Sequence, residues 1–404
     1  MVMATRSCLI FAFFFVLSTS ISAKSSDGEV GVANGTEQRD QLWTSSEFED
    51  VTTVAFEIDA GPSEWAWYPF QWSWWIGLQA ASAILGVTGN GLVVVIIYER
   101  FSVIRSTDVL IGALAIADLI TSIFVFPIPW ARRVPGTILG HAYCKLLYPS
   151  FILWLCITAS TYILMAICIE RYLAVVHPLP FNRIVSKRRV SLVVVLIWVF
   201  TFAQVSYTLF TYGYDHNINY CGNMIKTEAG KIAQAYYAFI IRLVIPVATM
   251  LITQLLIARS LRQQSKQFRQ MTSESKGETF HMLARNRIIK MMLIVVLVYI
   301  VAWTPNQIAY LCFNLGYISS SYRGSPLHRI LTVLGFFNSC ANPFIYTWKH
   351  PRFRAAVKDL CTCVKSDGVA LFEPKEPTAT KKSTQTSMKN DSIKRSANLC
   401  PPTG

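Results

Sequence analysis

Charge is scarce in this chain. Only 15% of its 404 residues are Asp, Glu, Lys or Arg, against about 25% in average proteins, while 53% are hydrophobic and 13% aromatic. A soluble protein of this size needs more charge to stay dispersed, so the balance favours an integral membrane protein. Catalytic signatures are missing too. There is no HExxH, no GxxxxGK and no GxSxG, and the ten cysteines are scattered without metal-ligand spacing. These gaps leave no ground for an enzyme. The net charge of +14 would suit nucleic acid, but basic residues also gather in the cytoplasmic loops of membrane proteins. Their position decides between the two.

What the chain does have is long apolar runs. Residues 1–23 read as a signal peptide, with Arg6, an apolar run from Leu9 to Leu17 and a small-residue end at Ile21-Ser22-Ala23. A signal anchor is the alternative, but that run is too short to span about 30 Å of hydrocarbon. Residues 24–73 carry ten acidic residues against Lys24 and Arg39, and a glycosylation sequon at Asn34-Gly35-Thr36. They read as a flexible, acidic extracellular tail. Trp65, Trp67, Tyr68, Trp72, Trp74 and Trp75 follow as an aromatic belt at the membrane interface.

Seven segments then have the length and apolarity of membrane helices: Trp74–Tyr98, Val109–Trp130, Cys144–Val175, Val190–Tyr212, Ala235–Ala258, Ile288–Leu315 and Leu327–Trp348. Arg183, Lys187, Arg188 and Arg189 follow the third. A run from Arg259 to Lys290 follows the fifth, and Lys349, Arg352, Arg354 and Lys358 follow the seventh. The basic loops therefore share one side, opposite the acidic tail. This places the N-terminus outside and the C-terminus inside, and nucleic acid is no longer needed to explain the charge. The expected fold is an all-α membrane protein, a seven-transmembrane helix bundle over 74–348. Residues 349–365 continue it and 366–404 form a disordered cytoplasmic tail.

Polar residues inside the apolar spans are few, and each is costly without a partner. They are Asn90 in the first span, Asp118 in the second and Ser160 in the third, with Glu170-Arg171-Tyr172 at its end. The seventh has Asn338, Ser339, Asn342, Pro343 and Tyr346 in NSCANPFIY. Together with Trp198, Pro246 and AWTP at Ala302 to Pro305, this ordered set resembles the rhodopsin-like family of G-protein-coupled receptors across residues 74–360. A seven-span transporter or channel is the rival of another class.

The resemblance implies roles. Glu170, Arg171, Tyr172, Tyr299, Trp303, Pro305, Asn342, Pro343 and Tyr346 match the family's switch and G-protein contact. Pro305 is the hinge of the sixth span, and Tyr299 stands where Phe is usual. Asp118, Ser160, Asn338, Ser339 and Asn342 match a sodium site, whose oxygen ligands suit a hard cation. A hydrogen-bonded network without an ion is the alternative. No other cofactor is implied. Cys144 and Cys221 match the family's extracellular disulfide. After NPFIY, Phe353 and Arg354 stand at the spacing of a short amphipathic cytoplasmic eighth helix, followed by palmitoylation candidates Cys361 and Cys363, with unmodified thiols as the alternative. The Ser/Thr cluster from Thr378 to Ser387 implies receptor kinase and arrestin as partners, besides the heterotrimeric G protein and the lipid bilayer of the plasma membrane.

Four departures from the family pattern stand out. Cys144 to Arg171 is slightly long, with Pro149 marking a bulge. No proline follows Trp198, and Gln254 stands at an activation tyrosine. Arg285 stands where some members carry an acid. Arg171 is therefore expected to rest on Glu170 alone, with some basal activity.

Leu153 stands where amine receptors carry Asp, and Phe336 where light-sensing members carry Lys. A monoamine ligand and a photopigment are both disfavoured. Trp154, Arg242, Trp303, Asn306, Gln307 and Tyr310 are the expected ligand pocket. Arg242 there suits an anionic ligand group, or else snorkels or pairs internally. CKLL at Cys144 to Leu147 and ICIERYLAVVHPL resemble neuropeptide-type members. The ligand is expected to be a neuropeptide, with a small anionic metabolite anchored by Arg242 as the alternative.

Overall fold

A computed structural model describes residues 64–99, 105–127, 129–216, 220–225, 227–270, 276–362 and 371, without the side chains at 182, 265–287 and 361. The signal peptide, Asn34, most of the acidic tail, the side chains of Arg285 and Cys361, Cys363 and the Thr378–Ser387 cluster lie outside the described residues.

The bundle comprises α1 (Trp74–Glu99), α2 (Ser106–Val125), α3 (Phe151–Val176) and α4 (Lys187–Val205). Next come α5 (Glu228–Phe239, a π-helical turn Ile240–Val244, then Ile245–Gln270), α6 (Lys276–Asn314), α7 (Pro326–Lys349) and α8 (Pro351–Cys361). Six of these spans are long and apolar enough to cross a membrane. The seventh, α7, is diluted by Asn338, Ser339, Asn342 and Pro343, which are turned into the bundle. Around the ring, α1 packs on α2 and α7, α3 on α2, α4 and α5, and α6 on α7 and α5.

Two glycines set the closeness of α1 to its neighbours. A Cβ on Gly86 would lie 2.0 Å from Ser122 Oγ, and one on Gly89 would lie 3.0 Å from Pro343 Cβ. Small residues let membrane helices approach backbone to backbone, where packing rather than the hydrophobic effect drives association.

The ends of the spans depart from the apolar runs. Helix α2 stops at Val125, five residues short of Trp130, because Pro127 and Pro129 cannot continue a helix. Helices α5 and α6 extend well past their apolar segments on the basic side, since hydropathy marks the hydrocarbon and not the helix end. Before α3, a helix Ile138–Ala142 runs into a π-helical turn Tyr143–Leu147. The chain then breaks at Pro149, with Ser150 left-handed at φ 53°. Pro149 thus does mark an irregularity. At the other end, His350 Nδ1 accepts from Phe353 N–H at 3.3 Å, and Pro351 occupies the first turn of α8. Phe353 and Ala356 are buried beneath it.

Part of the expected aromatic belt is engaged by protein. Ala66–Trp67 form strand β1, antiparallel to β2 (Ala131–Arg133). Tyr68 N–H donates to the Trp130 carbonyl at 3.0 Å. Trp65 and Trp67 stack at 5.5 Å, and both set an edge against Tyr143. Trp65 and Trp67 thus pack against protein, while Trp67, Trp72 and Trp74 remain 52%, 74% and 50% exposed, and residues 64–73 form a strap across the bundle mouth. Beside it, β3 (Tyr212–Asp215) and β4 (Tyr220–Asn223) form a hairpin.

Candidate functional site

The hairpin is tied to the start of the third span. Cys221 in β4 and Cys144 in the π-helical turn are joined by a disulfide with Cα atoms 5.1 Å apart. Burial pushes the Tyr212 and Tyr220 hydroxyls well above their ordinary value, so both stay neutral.

Midway down the bundle the polar residues of four helices meet. Asp118 on α2 is fully buried. Its Oδ1 accepts from Ser160 Oγ on α3 at 2.7 Å, and its Oδ2 from Asn342 Nδ2 on α7 at 2.8 Å. Proline chemistry explains the next link. Pro343 has no N–H, so the carbonyl of Ser339, four residues earlier, lacks its helical donor. Asn90 Nδ2 on α1 supplies one at 2.8 Å, reached because Gly89 lets Pro343 close in. The side-chain oxygens of Asn338 and Asn342 are buried without a hydrogen-bond partner. Such bare acceptors near a carboxylate fit an oxygen-seeking cation.

The same reasoning applies on α5. Pro246 removes the donor for the carbonyls around the π-helical turn. Tyr299 Oη on α6 donates to the Arg242 carbonyl at 2.8 Å, and Tyr162 Oη on α3 to that of Ile241 at 3.0 Å. Phenylalanine at 299 could not make the first bond.

At the C-terminal end of α3, Arg171 is 6% exposed. Its Nε and Nη2 donate to the Glu170 carboxylate, both at 2.5 Å. Its Nη2 also donates to Thr107 Oγ1 in the first turn of α2, and that hydroxyl donates to Glu170 Oε1 at 3.0 Å. The expectation that Glu170 alone holds Arg171 is therefore wrong, because a hydroxyl on α2 can accept from the cation and donate to the anion at once. Val175, Ile257 and Ile289 close the space between α3, α5 and α6 nearby. Tyr346 is buried with its ring on Phe353 at 6.1 Å, and Tyr172 turns outward to His177, with Oη 3.2 Å from Nε2. Gln254 Nε2 donates to Cys168 Sγ at 3.8 Å, joining α5 to α3 where the family pattern has a tyrosine.

Residues 89–346 match the seven-transmembrane receptor family of the rhodopsin type. The chain belongs to that family. The allatostatin-A receptor of Bombyx mori is 27% identical over 287 residues, covering 69% of this chain and 77% of that protein. The QRFP-like peptide receptor of Branchiostoma floridae is 26% identical, over 69% of this chain and 75% of its own length. The thyrotropin-releasing hormone receptor of Gallus gallus is 24% identical, over 69% and 76%.

In this receptor the expected ligand residues only partly converge. Trp154, Arg242, Trp303 and Gln307 line one small cavity with Ile157, Thr158, Thr161 and Tyr299. Asn306 does not join them. One residue from Gln307, it is turned about 100° around the helix toward α7, where Nδ2 donates to the Leu331 carbonyl at 3.3 Å. Tyr310 is also not among the lining residues, being almost a turn further along α6. A larger cavity of about 120 Å³ lies between α1, α2, α3 and α7, roofed by Tyr68 to Gln71 of the strap and floored by Leu153 and Phe336. Both positions that disfavour amine and retinal therefore face a space of mixed lining, with Gln79, His328 and Arg329 among its polar groups.

Proposed function

We propose that this is a plasma-membrane receptor for an extracellular peptide, which activates a heterotrimeric G protein through Arg171. The observation that carries the coupling half is the burial of Arg171 at the closed inner face, held by Glu170 and Thr107. Ionisable residues in a membrane span are rare, pair with one another when buried and mark functional positions, and this pair lies where its release would uncover a cation. The peptide half is supported by relatives named as receptors for allatostatin-A, a QRFP-like peptide and thyrotropin-releasing hormone. It is also supported by the strap and hairpin at the mouth, which offer a wide polar and aromatic surface.

In the mechanism, ligand at the outer end favours a state in which α6 swings about Pro305, since proline lacks the N–H that would stiffen that turn. A ligand shifts this equilibrium only by its differential affinity for the two states. Opening separates Ile289 from Val175 and Ile257, and Tyr346 leaves Phe353 for the neighbourhood of Arg171. At rest, Asp118, Ser160, Asn338, Ser339 and Asn342 would hold a sodium ion, which supplies a charge to offset Asp118. Receptor kinase and arrestin would act on the Thr378–Ser387 cluster. Orientation with the N-terminus outside rests on the basic loops.

The test is second-messenger output from cells expressing the full chain, challenged with a peptide library. A response absent from untransfected cells is the expected result. Ligand-evoked current or uptake without G-protein activation would instead favour the transporter or channel reading.

A further inference from the structure

We propose that the ligand carries a carboxylate, and that Arg242 receives it by leaving the face of Trp154. The inference rests on the receptor reading above and adds the chemistry of the ligand and the first movement it causes.

Arg242 sits in the π-helical turn of α5, lining the small cavity within the bundle. An extra residue in such a turn rotates the side chains before it around the axis by about 100°. Among the described residues no carboxylate lies within ion-pair distance of its guanidinium. The contact it does make is with an indole, its Cζ lying 4.7 Å from the centroid of the Trp154 ring. Other polar side chains line the cavity beside it. Gln307 is 5% exposed and lines the same cavity, and Trp303 Nε1, on another of its lining residues, is buried with no hydrogen-bond partner among the described residues. Thr158 and Thr161 have each given their proton to the carbonyl four residues back, at 2.6 and 2.9 Å. Among the described residues the cavity therefore offers one cation, the Gln307 amide and the unpartnered Trp303 indole N–H, and no anion. Guanidinium binds a planar carboxylate through two parallel charge-assisted hydrogen bonds, a stronger and more directional partner than a ring face.

The free volume is about 10 Å³, the room of roughly one water. A carboxylate thus enters only as the arginine side chain moves. That movement is felt by the hinge. Trp154 lies 6.1 Å from Trp303, and Trp303 is backed by Gly335, where a Cβ would sit 3.2 Å from the ring. Releasing Arg242 frees Trp154, and Trp303 then loses its brace two residues from Pro305.

A tethered carboxylate tests this without knowing the ligand. Gln307→Glu places one in the cavity beside Arg242, and ligand-free G-protein signalling should rise about fivefold per receptor at the cell surface. Adding Arg242→Gln should reverse the rise. Should Gln307→Glu fail to reach the surface, Thr158→Asp is the second carrier. Thr107→Ala, which loosens the inner lock directly, reports that coupling works. No rise from either carrier, with a rise from Thr107→Ala, overturns the inference and leaves the receptor reading standing. A rise that survives Arg242→Gln also overturns it. No rise from any variant removes the receptor reading and this inference with it. A second arm uses acidic peptides paired with their amidated or Asn/Gln counterparts, and succinate and glutamate alone. Activity of the acidic members, lost at least tenfold in Arg242→Gln, supports the proposal and shows whether the carboxylate belongs to a peptide or a small acid. Undiminished activity of neutral peptides in Arg242→Gln contradicts it.

Discussion

Glu170→Gln is expected to raise ligand-free G-protein signalling about tenfold, which corresponds to about 1.4 kcal/mol. Glu170 takes two hydrogen bonds from Arg171 at 2.5 Å and one from Thr107 at 3.0 Å, all out of water. Removing one partner of a buried ion pair costs roughly 3–5 kcal/mol, because the other charge is left uncompensated. On the proposed mechanism that cost falls on the resting state, where the pair is intact, and not on the state in which Arg171 would meet the G protein. A tenfold shift uses less than half of it. Thr107→Ala removes a neutral bridge of two hydrogen bonds but leaves the ion pair intact, and should give a smaller rise, about two- to threefold, at the low end of about 0.5–1.5 kcal/mol per hydrogen bond. Nucleotide exchange on the G protein, normalised to receptor number, measures both. An unchanged basal rate in Glu170→Gln would remove this pair from the resting restraint.

Asp118→Ala should lower the thermal inactivation midpoint of the detergent-solubilised receptor by the largest margin of any single core substitution. Asp118 accepts from α3 and α7 at once, at 2.7 and 2.8 Å. Its loss leaves Ser160 Oγ and Asn342 Nδ2 as buried donors without that acceptor, at about 1–3 kcal/mol each. Asp118→Asn keeps one carbonyl oxygen to accept with and should recover about half of the loss. The two variants also separate the sodium ion from a bare hydrogen-bond network. With the ion, added sodium chloride stabilises the wild-type receptor more than choline chloride does, and the difference vanishes in both variants. Equal effects of the two salts on the wild type would leave only the network.

The core of this account was legible because lipid makes polar residues conspicuous. Asp118, Ser160 and Asn342 stood out in apolar runs, and the fold places them within hydrogen-bond reach. Arg171 was found in the same way. Its second partner is not visible in this way, because Thr107 lies in the polar entry of α2, where a hydroxyl carries no signal. The π-helical turn at Ile240–Val244 has no signature in hydropathy. Pro246 held the clue, since a missing N–H must leave carbonyls in need of donors, and Tyr299 and Tyr162 answer it. The strap was misread because tryptophan suits both a lipid boundary and a protein face. Only the pairing of β1 with β2 and the Trp65–Trp67–Tyr143 stack distinguish them. Asn306 and Tyr310 were assigned to the pocket by position along α6, and the rotation of the helix sends Asn306 to α7.

The most direct measurement of the central claim needs no ligand. The full chain bearing Glu170→Gln, and the same chain with Arg171→Ala added, are reconstituted in lipid discs with heterotrimeric G proteins, and the rate of nucleotide exchange is followed. Release of Arg171 as the output predicts fast exchange with Glu170→Gln and a return to the receptor-free rate when Arg171→Ala is added. Equally fast exchange in both would contradict it.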